Sequence, residues 1–169
     1  SKHCYMLESV ENQEVWGRYT FLGYDPKLEI TCMNGEMCIR ESGSEEGAKE
    51  PVAHPGAKIK EILKEYTSPK VKDLPSFTGG LVGYFSYDYV KYSEPKLNLD
   101  ADDQEGFKDV DLMLFDKVIA FDNLRQKIYI IANARTENLE QEYDRCLAEI
   151  EEIVDLIEHG TPAQITPGK

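Results

Sequence analysis

The chain has 169 residues, 41% of them hydrophobic and 30% charged, with a net charge of −13. A chain of this length and balance buries roughly 70% of its unfolded surface in one core, and two very small domains would be strained. The acidic excess argues against a nucleic-acid or anionic-membrane surface, which needs dense Lys and Arg. Apolar runs as short as Ile128–Ala132 leave no transmembrane helix.

Residues 4–9, Cys-Tyr-Met-Leu-Glu-Ser, read as a strand that ends in polar residues. Residues 16–23, Trp-Gly-Arg-Tyr-Thr-Phe-Leu-Gly, read as a second extended segment, rich in aromatic residues. Tyr24-Asp25-Pro26 is a turn. Residues 28–33 and 36–40 form a hairpin around Asn34-Gly35, a strong two-residue turn signal. In that register Thr31 faces Cys38 and Cys32 faces Met37. The two sulfurs then point to opposite faces, and no disulfide is expected between them. Residues 41–55 are rich in Gly, Ser and Glu and are expected to form a mobile loop.

Ile59, Ile62, Leu63 and Tyr66 make one apolar stripe at helical spacing, which predicts a helix near 56–67, ended by Ser68-Pro69. Residues 78–87 read as a Gly-rich strand, Asp88–Tyr92 as a short helical turn, and residues 93–108 as an acidic loop. Residues 110–121 and 127–134 are expected to pair as one long hairpin. A last helix, near 137–158, carries Leu139, Tyr143, Cys146, Leu147, Ile150, Ile153, Val154 and Ile157 on its apolar stripe. Thr136 is the expected N-cap, and Gly160 with Pro162 the stop. Hairpins plus two principal amphipathic helices give an α+β fold with a mainly antiparallel sheet.

The sequence nominates no catalytic centre. Gly79-Gly80-Leu81-Val82-Gly83 lacks the Gly-Lys-Ser/Thr of a phosphate loop and the helix of a dinucleotide loop, so it reads as a strand that lets another backbone approach closely. Asp100, Asp102, Asp103, Glu105 and Gly106 invite a calcium-loop reading, but Ala101 and Leu112 fall where the first and last carboxylates belong. Cys4, Cys32, Cys38 and Cys146, with His3, His54 and His159, show no zinc spacing. Scattered cysteines point to reduced thiols and a cytoplasmic location. No signal peptide is visible, and Ser1 in place of Met means either a removed initiator or a cut piece. The acidic last helix reads as a solvated face, or as a docking face for a basic partner.

Three segments nevertheless resemble one family. Met6-Leu7-Glu8-Ser9 followed by Arg18-Tyr19-Thr20-Phe21-Leu22-Gly23 resembles the L-L-E-S and R-Y-S-F-L-G segments of anthranilate synthase component I. Residues 75–92, with Gly79-Gly80-Leu81-Val82-Gly83-Tyr84-Phe85, resemble its F-x-G-G-x-V-G-Y-F segment. Residues 118–131 resemble its second hairpin, with Asn123 where His is common. Met6 and Thr20 stand where Leu and Ser are usual.

The resemblance covers the family's N-terminal domain alone, here residues 1–160. Residues 161–169 would start the linker to an absent catalytic domain. That domain is the chain's expected partner and would hold chorismate and Mg2+. No cofactor is expected in this part. The family reaction joins chorismate to ammonia or glutamine nitrogen and yields anthranilate and pyruvate, a lyase step of tryptophan biosynthesis. This chain alone is expected to lack that activity, and a glutamine amidotransferase component II is the expected second partner. The resemblance also implies a feedback site for L-tryptophan, contacted by Ser9 with Glu8 and Leu7 beside it. Arg18 is placed near by the expected pairing of its strand with the first. Two alternatives remain: the equivalent part of aminodeoxychorismate synthase in the p-aminobenzoate pathway, and a non-catalytic interaction module that uses the acidic helix.

Overall fold

Two stretches of this chain cross from one sheet to another partway along, and that crossing sets the architecture. The computed structural model describes residues 3–8, 17–94, 96–97 and 104–162. The strands are β1 (Cys4–Leu7), β2 (Tyr19–Tyr24), β3 (Leu28–Met33), β4 (Glu36–Glu41), β5 (Ala48–Pro51), β6 (Gly80–Phe85), β7 (Val110–Phe115), β8 (Lys117–Asp122) and β9 (Lys127–Ala132). The helices are α1 (Pro55–Lys64) and α2 (Leu139–His159), with a 3-10 turn at Tyr87–Tyr92. One sheet runs β1-β2-β8-β9 and the other β5-β4-β3-β7-β6. Each described pairing is antiparallel. The α+β fold is as the sequence implies.

The expected single strand over residues 110–121 is a correction. It breaks at Asp116 into β7 and β8, which lie in different sheets. β2 and β3 make the same crossing through Asp25-Pro26-Lys27. The break is held by partners distant in sequence. The Asp116 carbonyl accepts from both the backbone and the side chain of Asn133, at 2.9 and 2.8 Å. Its carboxylate pairs with Lys27 at 3.0 Å and lies 3.8 Å from Arg145.

The two sheets meet through aromatic rings. Tyr5 of β1 packs edge-on against Phe115 of β7 at 4.7 Å, and Phe77 contacts both Tyr5 and Phe21. On the second sheet, Ile30, Cys32, Met37, Val110 and Leu112 form a core with Ile59 of α1. The hairpin register is as expected, with Thr31 opposite Cys38 and Cys32 opposite Met37. Cys32 is buried, Cys38 half-buried, and all four cysteines are free.

Other boundaries shift. The supposed loop over residues 41–55 contains β5, paired with β4. It was invisible because an exposed edge strand has no alternating apolar face. The first helix ends at Lys64 rather than near 67; Thr67 turns its hydroxyl to the carbonyls of Leu63 and Lys64. The second starts after Asn138, in a left-handed conformation, and not after Thr136. Gly83 shows why the Gly-rich strand is glycine: at φ +153°, a Cβ would drive into the Asp111 carbonyl of β7. In the acidic loop, residues 98–103 lie outside the described residues, and so do Ser9, Trp16 and residues 163–169 of the expected linker.

Candidate functional site

Of the expected site residues, Leu7 ends β1, Glu8 follows it, and Arg18 directly precedes β2. Antiparallel partners point their side chains to the same face. Leu7 pairs with Phe21, Phe21 with Ala120, and Ala120 with Tyr129, so these four form one row across the first sheet. Tyr5 shares that face and packs inward on Phe115. Beyond the row, Tyr19 stacks against Phe21 with centroids 5.8 Å apart. Phe77 closes one side, 5.7 Å from Phe21. The result is a partly covered apolar shelf: Leu7 is 48% exposed, Tyr19, Phe21 and Tyr129 are half-buried, and Ala120 is fully buried. Glu8 follows directly and is exposed. Ser9, the leading expected residue, lies outside the described residues.

Arg18 reaches the same shelf but is already engaged. Its Nε and Nη2 donate to the two carboxylate oxygens of Asp122, at 3.0 and 2.6 Å, and its guanidinium lies 4.8 Å from the Tyr19 ring centre. The Asp122 side chain is fully buried. The Arg18 guanidinium, with the Arg125 backbone N–H at 3.0 Å, holds that carboxyl down to about 2. Two donors in a fork match two carboxylate oxygens, which fixes the start of β2 against the end of β8. The structure thus sets Leu7 at one rim of the shelf, with Glu8 next along the chain, while Arg18 stands at the other as part of an ion pair.

Sequence reasoning missed Phe21 and Tyr129 as wall residues. Both sit in strands read correctly, but only the pairing of β2 with β8 and β8 with β9 sets them in a row with Leu7. Burial raises the phenol of Tyr5 to about 12, so it stays protonated, and its hydroxyl has no partner among the described residues. Among the described residues no group of three or more His, Cys, Asp or Glu is placed to hold a metal ion. Nor is any described helix long and apolar enough to cross a membrane.

A separate cavity of about 490 Å³ lies at the break between the sheets. Its polar lining is mutually satisfied: Ser68 donates to Asn133 at 2.7 Å, Arg135 to the Tyr66 hydroxyl at 2.8 Å, and Lys27 to Asp116. None of Leu7, Glu8 or Arg18 lines it.

The family model of chorismate binding enzymes matches residues 2–168. Anthranilate synthase component 1 of Acinetobacter calcoaceticus is 34% identical over 170 residues, which is 98% of this chain and 33% of the relative. The protein of the same name from Pseudomonas aeruginosa is 38% identical over 154 residues, covering 90% of this chain and 31% of the relative. The crystal structure of anthranilate synthase component I from Streptococcus pneumoniae superposes with a TM-score of 0.57 at 23% identity, over 92% of this chain and 32% of that one; this likeness is one of fold. The chain spans about a third of the length of the relatives it matches.

Proposed function

The chain belongs to the family of chorismate binding enzymes, and we propose that it is the N-terminal regulatory domain of an anthranilate synthase component I. In that reading it supplies one wall of a feedback site for L-tryptophan. The carrying observation is the row Leu7–Phe21–Ala120–Tyr129, an apolar shelf exposed at its Leu7 end, where Glu8 follows in the chain. An indole ring needs a flat apolar surface, and an ammonium needs a carboxylate at its edge. The row supplies the apolar surface, and Glu8 and Ser9, next along the chain, would supply the carboxylate and a hydroxyl to donate or accept. Arg18 contributes by holding Tyr19 in place and leaves the amino-acid carboxylate to other donors.

The shelf is open on one side, which fits a site completed by a second, larger domain. That domain would hold chorismate and Mg2+ and carry out the lyase step, with a glutamine amidotransferase component II supplying ammonia. The names of the relatives favour the anthranilate over the aminodeoxychorismate branch. Four free thiols fit a reducing, cytoplasmic compartment.

The test is tryptophan inhibition of anthranilate formation, followed by fluorescence in the intact enzyme. Ser9→Phe fills the slot, and Ser9→Ala and Glu8→Gln each remove a polar contact. All three should raise the tryptophan concentration needed, the two polar changes by several-fold, as expected for about 1 kcal/mol per hydrogen bond. Activity without tryptophan should be spared, because the effector acts by favouring one of two domain arrangements. Unchanged inhibition in Ser9→Phe would refute the residue assignment. The 169-residue chain alone should give no anthranilate from chorismate, ammonia and Mg2+. Turnover that follows the purified chain would refute the regulatory-domain reading.

A further inference from the structure

The long helix α2 carries more apolar surface than the sheet covers. Its buried residues are Cys146 and Ile153, with Glu142, Arg145, Glu149 and Ile150 half-buried on the same side. The expected single stripe is therefore two, which share Ile150. Beside the buried one, Tyr143, Leu147, Ile150, Val154 and Ile157 follow one another at intervals of four, three, four and three residues. Leu147, Val154 and Ile157 are 41%, 37% and 44% exposed, and Tyr143 is 59% exposed. Alternating fours and threes are the spacing that keeps a seam facing a partner helix along a coiled coil. A solvated helix face has no use for it.

The charges beside that seam share one sign. Each residue that follows the seam positions Tyr143, Ile150 and Ile157 is acidic: Asp144, Glu151 and Glu158, all exposed. In coiled-coil terms these are the flanking positions that select a partner and its orientation. The positions on the other flank, Cys146 and Ile153, are turned to the sheet and cannot answer them. A second copy of this chain would bring acid against acid in an antiparallel pairing and find those buried positions in a parallel one. Like charges directly opposed cost binding. Glu158, in the last turn, also opposes the helix dipole.

We propose that this face of α2 docks an amphipathic helix of a separate polypeptide, with an apolar seam of the same spacing flanked by Lys or Arg. A line of one charge sign discriminates among partners met by diffusion, whereas a tethered segment needs no such selection. The inference does not depend on the tryptophan site, which lies on the aromatic face of the first sheet and on other residues.

The test uses three synthetic peptides of α2's own length, titrated against the 169-residue chain by fluorescence anisotropy. One has Leu and Ile at the seam with Lys on both flanks. The second has Glu on the flanks. The third keeps the Lys residues but scrambles the apolar ones. The first should bind, at least about ten-fold tighter than either other, and weaken with salt. Leu147→Ser with Val154→Ser should abolish that binding without loss of helix by circular dichroism, since both are exposed. Asp144→Lys, Glu151→Lys and Glu158→Lys together should exchange the preference to the Glu-flanked peptide. Equal binding of the Lys- and Glu-flanked peptides, equal binding of the scrambled one, or persistence in the seam variant would each overturn the proposal. Dimers of the chain that dissolve on Leu147→Ser would assign the face to a second copy and overturn it too. Loss of peptide binding in the intact, longer enzyme would assign it to that enzyme's own remaining domain.

Discussion

The side chain of Asn123 donates to the hydroxyl of Thr20 at 3.2 Å. These are two of the positions at which the chain departs from the segments it resembles, where Ser and His are usual. They are neighbours across the β2–β8 pair, and the Asn123 backbone N–H also donates to the Arg18 carbonyl at 2.8 Å. Thr20 is buried. Two residues that share a buried hydrogen bond should not respond independently to substitution. Asn123→Ala is expected to cost about 1 kcal/mol, and Thr20→Val a similar amount, by urea denaturation. The double variant should cost clearly less than the sum. Strict additivity would mean that the contact carries no energy.

Gly23 closes the R-Y-T-F-L-G segment, and here it has a packing reason. Tyr5 lies across it from β1, and a Cβ on residue 23 would penetrate the Tyr5 ring. The ring cannot retreat, because Phe115 holds it from the other side. Gly23→Ala should therefore cost about 2 kcal/mol, the scale of an overpacked core. Adding Tyr5→Leu should recover part of the loss, since the collision is then relieved. A Gly23→Ala variant with an unchanged urea midpoint would show that the two strands separate without penalty.

Local patterns made the elements readable, and distant partners decided what was not. Asn34-Gly35 set the β3–β4 register to the residue because a two-residue turn leaves no slack. Apolar residues marked 110–121 as strand correctly, but the single charged pair Asp116-Lys117 in its middle does not by itself announce a change of sheet. What breaks the strand there is Lys27, Asn133 and Arg145, brought in by the tertiary fold. The shelf was half legible for the same reason. Leu7 and Glu8 came with a segment resemblance, whereas Phe21 and Tyr129 join them only through the order β1-β2-β8-β9. In α2 the helical period was plain, but the stripe was too wide for one surface, and only the sheet's position divides it.

The hairpin register also fixes thiol chemistry. Cys32 faces the α1 side of the second sheet among core residues, and Cys38 faces the other side beside Arg40. Cys146 is buried, and burial pushes its thiol up. Labelling of the native chain with an aromatic disulfide reagent should therefore show Cys4 first, Cys38 next, and Cys32 and Cys146 only on unfolding. Mild oxidation should leave Cys32 and Cys38 unlinked to each other. A Cys32–Cys38 cross-link in a peptide map would mean that the register slips by one residue in solution.

Acid should expose the value of the Arg18–Asp122 pair. The Asp122 carboxyl is held at about 2 in the folded chain, against an ordinary 3.8. Between those values the unfolded chain binds a proton that the folded chain refuses, so stability rises with pH there. The contribution is complete above about pH 4 and fades as pH falls toward 2. Glu142 adds to the same window, since Arg145 and the Arg135 backbone N–H hold its carboxyl at about 2 as well. Asp122→Asn removes one titrating group while keeping its shape. Its stability should be lower at neutral pH and fall less steeply between pH 4 and 2 than that of the parent chain. Arg18→Ala leaves the Asp122 carboxylate, whose side chain is buried, without its main partner and should lower stability at pH 7. That penalty should shrink in acid, as the stranded carboxyl takes up a proton and becomes neutral. Parallel stability curves for Arg18→Ala and the parent from pH 7 down to 2 would show that the pair is not what anchors β2 to β8.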